Sequence, residues 1–304
     1  MKNEKNFELI HRLKRAEEFE GGGKLLHAIQ MYQAITNDFD DPAAWYKLVE
    51  IYEKMEKASS AMNLIEDMLE HFGNDEDIRL FAGHFYFKHQ KWDDAIRVLE
   101  EMDDMSFETI TYFIYGLSCF HVGRYDEALS NLGTFVEVEK DSAFLGDTHL
   151  YLARCHMALG KLSVALPYLE KAAQLMPTNP EVYHYLATYY FLIRMYAHAA
   201  EHIETSLSLG ADLKMTWELA AEIYETLKDM VRLEKLCRKY LDETNEPSTL
   251  IYNSLALTLL EKNRYKDAEG YLKSSLAADP SNPRTHELLK KLNQKRNDDL
   301  VKDI

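Results

Sequence analysis

Cysteine, proline, glycine and positive charge are all scarce in this 304-residue chain, which has 3 Cys, 7 Pro, 12 Gly, and 35 Lys and Arg against 51 Asp and Glu. Cys119, Cys155 and Cys237 are an odd number, match no metal-ligand spacing and fall at apolar positions of helical stretches. Neither a disulfide framework nor a zinc site fits, so buried free thiols in a reducing compartment are expected. The few Pro and Gly, beside abundant Ala, Leu, Glu, Lys and Tyr, favour helices over strands. The formal charge of −16 opposes a nucleic-acid backbone or an anionic membrane as partner, and no basic patch offsets it. No apolar run suits a signal peptide or reaches transmembrane length, and a soluble cytoplasmic protein is expected. With 46% hydrophobic residues the chain can still form a core.

Internal repetition organises what remains. Ala28, Ala61, Ala95, Ala128, Ala165, Ala199, Leu233 and Ala268 recur at steps of 33, 34, 33, 37, 34, 34 and 35 residues. Twelve residues earlier runs a second series: Ala16, Val49, Gly83, Gly116, Ala153, Ala187, Ala221 and Ala256. Two helices approach closely only where facing residues are small, so the paired series mark the crossing points of helical hairpins. Large residues keep the same register, three after the second series (Tyr52, Tyr86, Tyr190, Tyr224) and four before it (Trp45, Tyr112, Tyr183, Trp217, Tyr252). Such a stripe is core, not a cofactor box. Asp41-Pro42, Asn179-Pro180 and Asn282-Pro283 give helix starts, and Gly23, Gln90, Gly123, Gly160 and Asn263 give mid-unit turns.

The step, the small and aromatic residues of the first helix, the Ala of the second and a Pro at the unit's end (Tyr252-Leu255-Ala256 with Ala268 and Pro280; Leu152-Ala153 with Ala165, Ala172 and Pro177) resemble the tetratricopeptide repeat. The resemblance implies an all-α, right-handed superhelical solenoid of eight helix-turn-helix units: 9–41, 42–75, 76–108, 109–145, 146–179, 180–213, 214–248 and 249–282. Residues 1–8 form a lead, and 283–304 a capping helix and tail, fraying from about residue 298. Arg12, Arg79 and His149 at the large aromatic position, and Leu233 for Ala, depart from the family pattern. The 37-residue step adds three residues near 138–147, read as a longer loop.

Catalytic chemistry is not in view. Gly21-Gly22-Gly23-Lys24 lacks phosphate-loop spacing and follows a helix, which makes it an interhelical turn. His198 and His202 lie four apart, but two ligands make no metal site, and both are read as solvated; His149 and His156 are read as packed. No catalytic, cofactor-binding or metal residue is assigned, and no enzyme is expected.

In tetratricopeptide proteins the first helices line the concave face where partners bind, so the resemblance implies a groove. Its wall would carry Phe81, His84, Phe87, Phe113, Leu117, Phe120, Tyr151, Arg154, His184, Tyr185, Thr188 and Phe191, aromatic where solvent-facing residues are usually polar. Glu50 and Glu53, then Glu218, Glu222 and Glu225, form acidic shoulders, with Glu17 and Glu20 before them. The bland alternative packs Phe87, Phe113, Phe120 and Phe191 against neighbouring units. The sharper one is a protein or peptide partner with apolar anchors and basic flanks, held by an interaction scaffold. Relatives that clamp acidic chaperone tails use Lys, Asn and Arg on this wall; Glu50, Phe81 and His84 around Lys47 do not fit that activity. Two further readings are a homodimer closed through the aromatic surface and a sensor holding a hydrophobic small molecule.

Overall fold

A computed structural model describes residues 2–73, 75–102, 108–211 and 213–302. Among these there are seventeen helices and no strand, in two compact units, Met1–Phe135 and Val136–Ile304. The first holds α1 (Lys2–Gly21), α2 (Leu25–Asp38), α3 (Ala43–Lys54), α4 (Ala58–Phe72), α5 (Glu76–Lys88), α6 (Trp92–Leu99), α7 (Thr109–His121) and most of α8 (Tyr125–Val138). The second holds α9 (Leu145–Ala158), α10 (Leu162–Leu175), α11 (Pro180–Leu192), α12 (Tyr196–Ser208), α13 (Lys214–Thr226), α14 (Met230–Glu243), α15 (Thr249–Glu261), α16 (Tyr265–Ala278) and α17 (Pro283–Lys302). Within each unit successive helices pack in hairpins, and odd-numbered helices also meet: α5 with α7, α9 with α11, α11 with α13, and α13 with α15.

The crossing points lie at the small residues. A methyl group added at Gly83 would stand 2.6 Å from Leu99 Cδ2, and one at Gly116 would stand 2.7 Å from Leu132 Cγ. Ala28, Ala61, Ala95, Ala128, Ala165, Ala199, Leu233 and Ala268 are fully buried on the second helices. Seven residues after each small residue the backbone turns left-handed, at Gly23, Glu56, Gln90, Gly123, Gly160, Arg194, Lys228 and Asn263. The next amide then closes each helix end, as Lys24 N bonding to Phe19 O (2.9 Å) and Arg264 N bonding to Leu259 O (2.9 Å) show. At the helix starts, Asn179 Oδ1 accepts from Glu181 N (2.8 Å), Asp41 Oδ1 from Ala43 N (2.9 Å) and Asn282 Oδ1 from Thr285 N (3.1 Å).

Stacking of one hairpin on the next has its own register. Five before, one before and two after the small residue, the first helices bury uncharged side chains. These are Ala44, Leu48 and Ile51 of α3, Ile78, Ala82 and Phe85 of α5, Val182, Leu186 and Tyr189 of α11, and Ile251, Leu255 and Thr258 of α15. The preceding second helix packs on each of these helices.

The departures from the repeat pattern are accommodated locally. Arg12 lies over the Phe39 ring and pairs with Asp38, Arg79 Nε donates to Gly73 O (2.6 Å), and His149 packs beside Tyr168. Leu288 and Leu292 of α17 are buried against the core of the second unit. Its Thr285 hydroxyl is buried and donates to Asn253 Oδ1 (3.1 Å), and lies 2.8 Å from Ser275 Oγ. Helix α17 continues to Lys302, past the residue at which fraying is expected, and α1 takes in the lead from Lys2 onward.

Candidate functional site

The groove residues divide between the two units. In the first, Phe81 of α5 meets Tyr46 of α3 edge to face, with centroids 4.6 Å apart, and both rings are half-buried. His84, one turn on, has a buried Nε2 without a hydrogen-bond partner, and burial lowers its pKa against the opposing pull of Glu108.

Three of the phenylalanines have a structural occupation. Each sits at the end of a first helix and packs on the aromatic residue that opens the second: Phe87 on Trp92 (5.5 Å), Phe120 on Tyr125 (5.8 Å) and Phe191 on Tyr196 (5.6 Å). The repeated five-residue spacing makes these rings staples across the turn. Phe113 and Leu117 are buried, the former against Phe87 and Phe135. His184 is buried as well, its Nδ1 3.2 Å from Thr216 Oγ1, and burial drives its pKa down to about 4, assisted by Arg154. The position three before the small residue is interior in α7, α9, α11 and α15, where Phe113, Leu150, His184 and Asn253 occupy it. Phe113, Leu117 and His184 are therefore core residues and not an accessible wall.

What stays at the surface of the second unit is a stack. The Arg154 guanidinium lies between two rings, 4.7 Å from the Tyr151 centroid on its own helix and 4.5 Å from that of Tyr185 on α11, while Nη1 pairs with Glu181 at 2.9 Å. Burial raises both tyrosine pKa values, and the guanidinium opposes the rise. Thr188 Oγ1 is turned back to His184 O (2.9 Å). Asp147 stands on the same face of α9, one turn before Tyr151. Among the described residues no side chain bonds its carboxylate, whose pKa is raised by burial.

The acidic shoulders are largely occupied by the chain itself. Glu53 pairs with Lys88 and His89, both at 2.9 Å; burial would raise its pKa, but these bonds hold it lowered. Glu20 pairs with Lys54 (2.6 Å) and Glu50 with Lys47 (3.1 Å). On α13, Glu218 accepts from Ser248 (2.7 Å), and Glu225 accepts from Ser254 (3.2 Å) and pairs with Arg284 of α17. Glu222 lies between them, and among the described residues none bonds its carboxylate; surrounding protein raises its pKa, countered by Arg284 and reinforced by Glu218 and Glu225. The i, i+4, i+7 stripe is thus met from within by Arg284, which sequence distance hid.

The remaining chemistry-bearing side chains are packed. His149 and His156 flank Tyr168, at 5.9 and 5.5 Å. His198 is exposed, but His202 is half-buried and stacks on Tyr190 at 5.1 Å, which corrects the reading of both as solvated. The three cysteines are buried and stand outside any disulfide among the described residues, and burial pushes the Cys119 and Cys237 thiols up to about 12. Among the described residues no group of three or more His, Cys, Asp or Glu is placed to hold a metal ion, and no helix is long and apolar enough to cross a membrane.

Residues 10–206 match the family described as T7SS, ESX-1 secretion system protein EccA1, N-terminal domain. No curated protein matches the sequence. Among solved structures, a TPR repeat-containing protein from Cytophaga hutchinsonii (its C-terminal part) aligns over 80% of this chain and 99% of its own, at 18% identity and a TM-score of 0.57. The APC/C hetero-tetramer Cut9–Hcn1 aligns over 88% of this chain at 19% identity and a TM-score of 0.56, and this chain spans 52% of the matched one. Pseudomonas aeruginosa PilF aligns over 62% of this chain and 85% of its own, at 19% identity and a TM-score of 0.54. At these identities the likenesses show the fold, and that fold is the tetratricopeptide array.

Proposed function

We infer that this chain is a protein-interaction scaffold, starting from the family to which it belongs, that of the T7SS, ESX-1 secretion system protein EccA1, N-terminal domain. The reading is non-catalytic. Its support is that the histidines with lowered pKa values are packed and that burial raises the pKa values of the Cys119 and Cys237 thiols. Buried cysteines outside any disulfide also favour a reducing compartment, the cytoplasm. Because the family's name is that of a secretion-system protein, a client or component of such a system is the partner class we favour.

The observation that carries a specific binding surface is the Tyr151–Arg154–Tyr185 stack. Aromatic faces and a stacked guanidinium on adjoining helices offer an apolar anchor with a fixed polar edge, the composition of interaction hot spots. Asp147, and Glu222 on the next first helix, would take Lys or Arg flanking the anchor. The partner is therefore an extended or helical segment with an apolar anchor and a basic flank, laid across α9 and α11. The eight-unit register and the Phe81–Tyr46 pair of the first unit belong to the same proposal, with Phe81 a second, separate anchor point.

A crosslinking pull-down from native cell extract, with wild-type and Tyr151→Ala/Tyr185→Ala chains, tests it. Capture should be lost while the circular dichroism stays helical, and Glu222→Gln should weaken capture without touching the stack. Undiminished capture by the double variant refutes the surface. Phe81→Ala, run alone, reports on the first unit.

A further inference from the structure

Helix α1 breaks the stacking register that the other first helices keep. At the three positions where α3, α5, α11 and α15 bury uncharged side chains beneath a preceding helix, α1 carries His11, Arg15 and Glu18, all exposed. The flank that His11 and Arg15 form with α2 is a groove of about 440 Å³, with Phe19, Met31 and Ala34 as its apolar lining and His27 across from them. Phe7, one turn before His11, is 75% exposed, and Leu26, next to His27, is 67% exposed.

The charge of this flank runs against the rest of the chain. In a protein with 51 Asp and Glu, no carboxylate lines the groove, and Glu18 stands outside it. Arg12 is committed to Glu8 and Asp38, whereas Arg15 has no ion pair or hydrogen bond among the described residues. The sequence shows no basic patch strong enough to offset the overall charge, and this flank is a local feature only: folding sets one uncommitted arginine beside two histidines of two helices.

We propose that this groove receives an acidic amphipathic helix from a protein partner. The occupant sits where a preceding second helix sits on α3, α5, α11 and α15, with its apolar stripe on Phe19, Met31 and Ala34. Its carboxylates meet Arg15, with the His11 and His27 rings beside it. A helix fits because the flank is built to the spacing of helix-on-helix packing.

The test uses the full chain and two synthetic amphipathic helices of about 18 residues, long enough to be helical alone. One carries Leu on one face and Glu on the other; its twin has Lys in place of Glu. By fluorescence anisotropy the Glu peptide should bind, bind less tightly as salt rises, and lose about tenfold in affinity to Arg15→Glu. Met31→Asp, which alters the lining without touching Arg15, should weaken it as well, and the Lys twin should not bind. Equal binding of the twins, or an unchanged affinity in Arg15→Glu, overturns the proposal. So do Arg15-dependent binding to phosphatidylserine vesicles without peptide binding, and a homodimer that Met31→Asp dissociates in light scattering. The groove shares no residue with the Tyr151–Tyr185 stack, so Tyr151→Ala/Tyr185→Ala leaves this titration unchanged and the two surfaces fail independently.

Discussion

Adding one methyl group should move stability in opposite directions at different glycines of this chain, and the sign reports how closely the helices cross. In a helix interior Gly→Ala is favourable by about 1 kcal/mol, from propensity alone. Gly133 of α8 and Gly270 of α16 have nothing within 4 Å of the added carbon, so each alanine variant should gain roughly that amount. At Gly116 the carbon would lie 2.7 Å from Leu132 Cγ, 2.9 Å from its Cδ2 and 3.1 Å from its backbone N. Comfortable carbon contacts begin near 3.5 Å, and Leu132 is fully buried, so α7 and α8 must part. Overpacking of this kind costs about 1–3 kcal/mol against the propensity gain of about 1 kcal/mol, which leaves a net loss of up to about 2 kcal/mol. The three atoms nearest the added carbon at Gly83 all belong to the Leu99 side chain, at 2.6 to 3.0 Å, and that leucine can shift in part, so Gly83→Ala should lose less than Gly116→Ala. Urea denaturation followed by far-UV circular dichroism ranks the four variants by midpoint. A Gly116→Ala midpoint raised as far as that of Gly270→Ala would refute the close crossing.

Other outcomes follow from single features. Glu56, Arg194 and Lys228 hold left-handed backbone without being glycine, so Glu56→Gly or Lys228→Gly should stabilise by about 1 kcal/mol, seen as a higher thermal midpoint. His184 stays neutral when folded, with a pKa near 4 against an ordinary 6.5. The unfolded chain therefore binds its proton first on acidification; the contribution is full above about pH 6.5 and is lost by about pH 4, a total of about 3 kcal/mol. Unfolding of wild type and His184→Gln across that window should show the shallower pH slope in the variant. Thr285→Val removes the buried hydroxyl shared with Asn253 and Ser275 and should cost about 1–3 kcal/mol in urea denaturation.

The hairpin register was legible because it is written in residues whose size has one structural use. Gly83, Gly116 and the alanines of both series leave no other place for the crossings. Turns were legible where glycine marks them and hidden at Glu56, Arg194 and Lys228, where surrounding packing imposes a conformation those residues do not favour alone. The wall was read less well. Phe87, Phe120 and Phe191 resemble groove residues until Trp92, Tyr125 and Tyr196, five positions on, are seen to take their faces, a spacing present in the sequence all along. His184 could have been placed in the core by its register with Phe113 and Leu150. The pairing of Glu225 with Arg284 could not, because 59 residues separate them and only stacking of α17 brings them together. Nor could the α1–α2 groove, whose basic character depends on two helices and on the paired state of Arg12.

Salt should separate the two proposed surfaces. Around the Tyr151–Arg154–Tyr185 stack the cation already has Glu181, and the α13 carboxylates Glu218 and Glu225 already have Ser248, Ser254 and Arg284. A basic flank on the partner finds only Asp147 and Glu222 open, and an exposed ion pair contributes about 0–1 kcal/mol. Burial of two tyrosine faces outweighs that, so capture there should weaken little between low and physiological salt. In the α1–α2 groove the balance is reversed: Arg15 is uncommitted, and the occupant is selected by its carboxylates. Raising ionic strength shortens the screening length to about 8 Å, and binding there should fall steeply. Equal salt sensitivity at the two surfaces would mean that one of these charge assignments is wrong, and the Glu222→Gln and Arg15→Glu variants identify which.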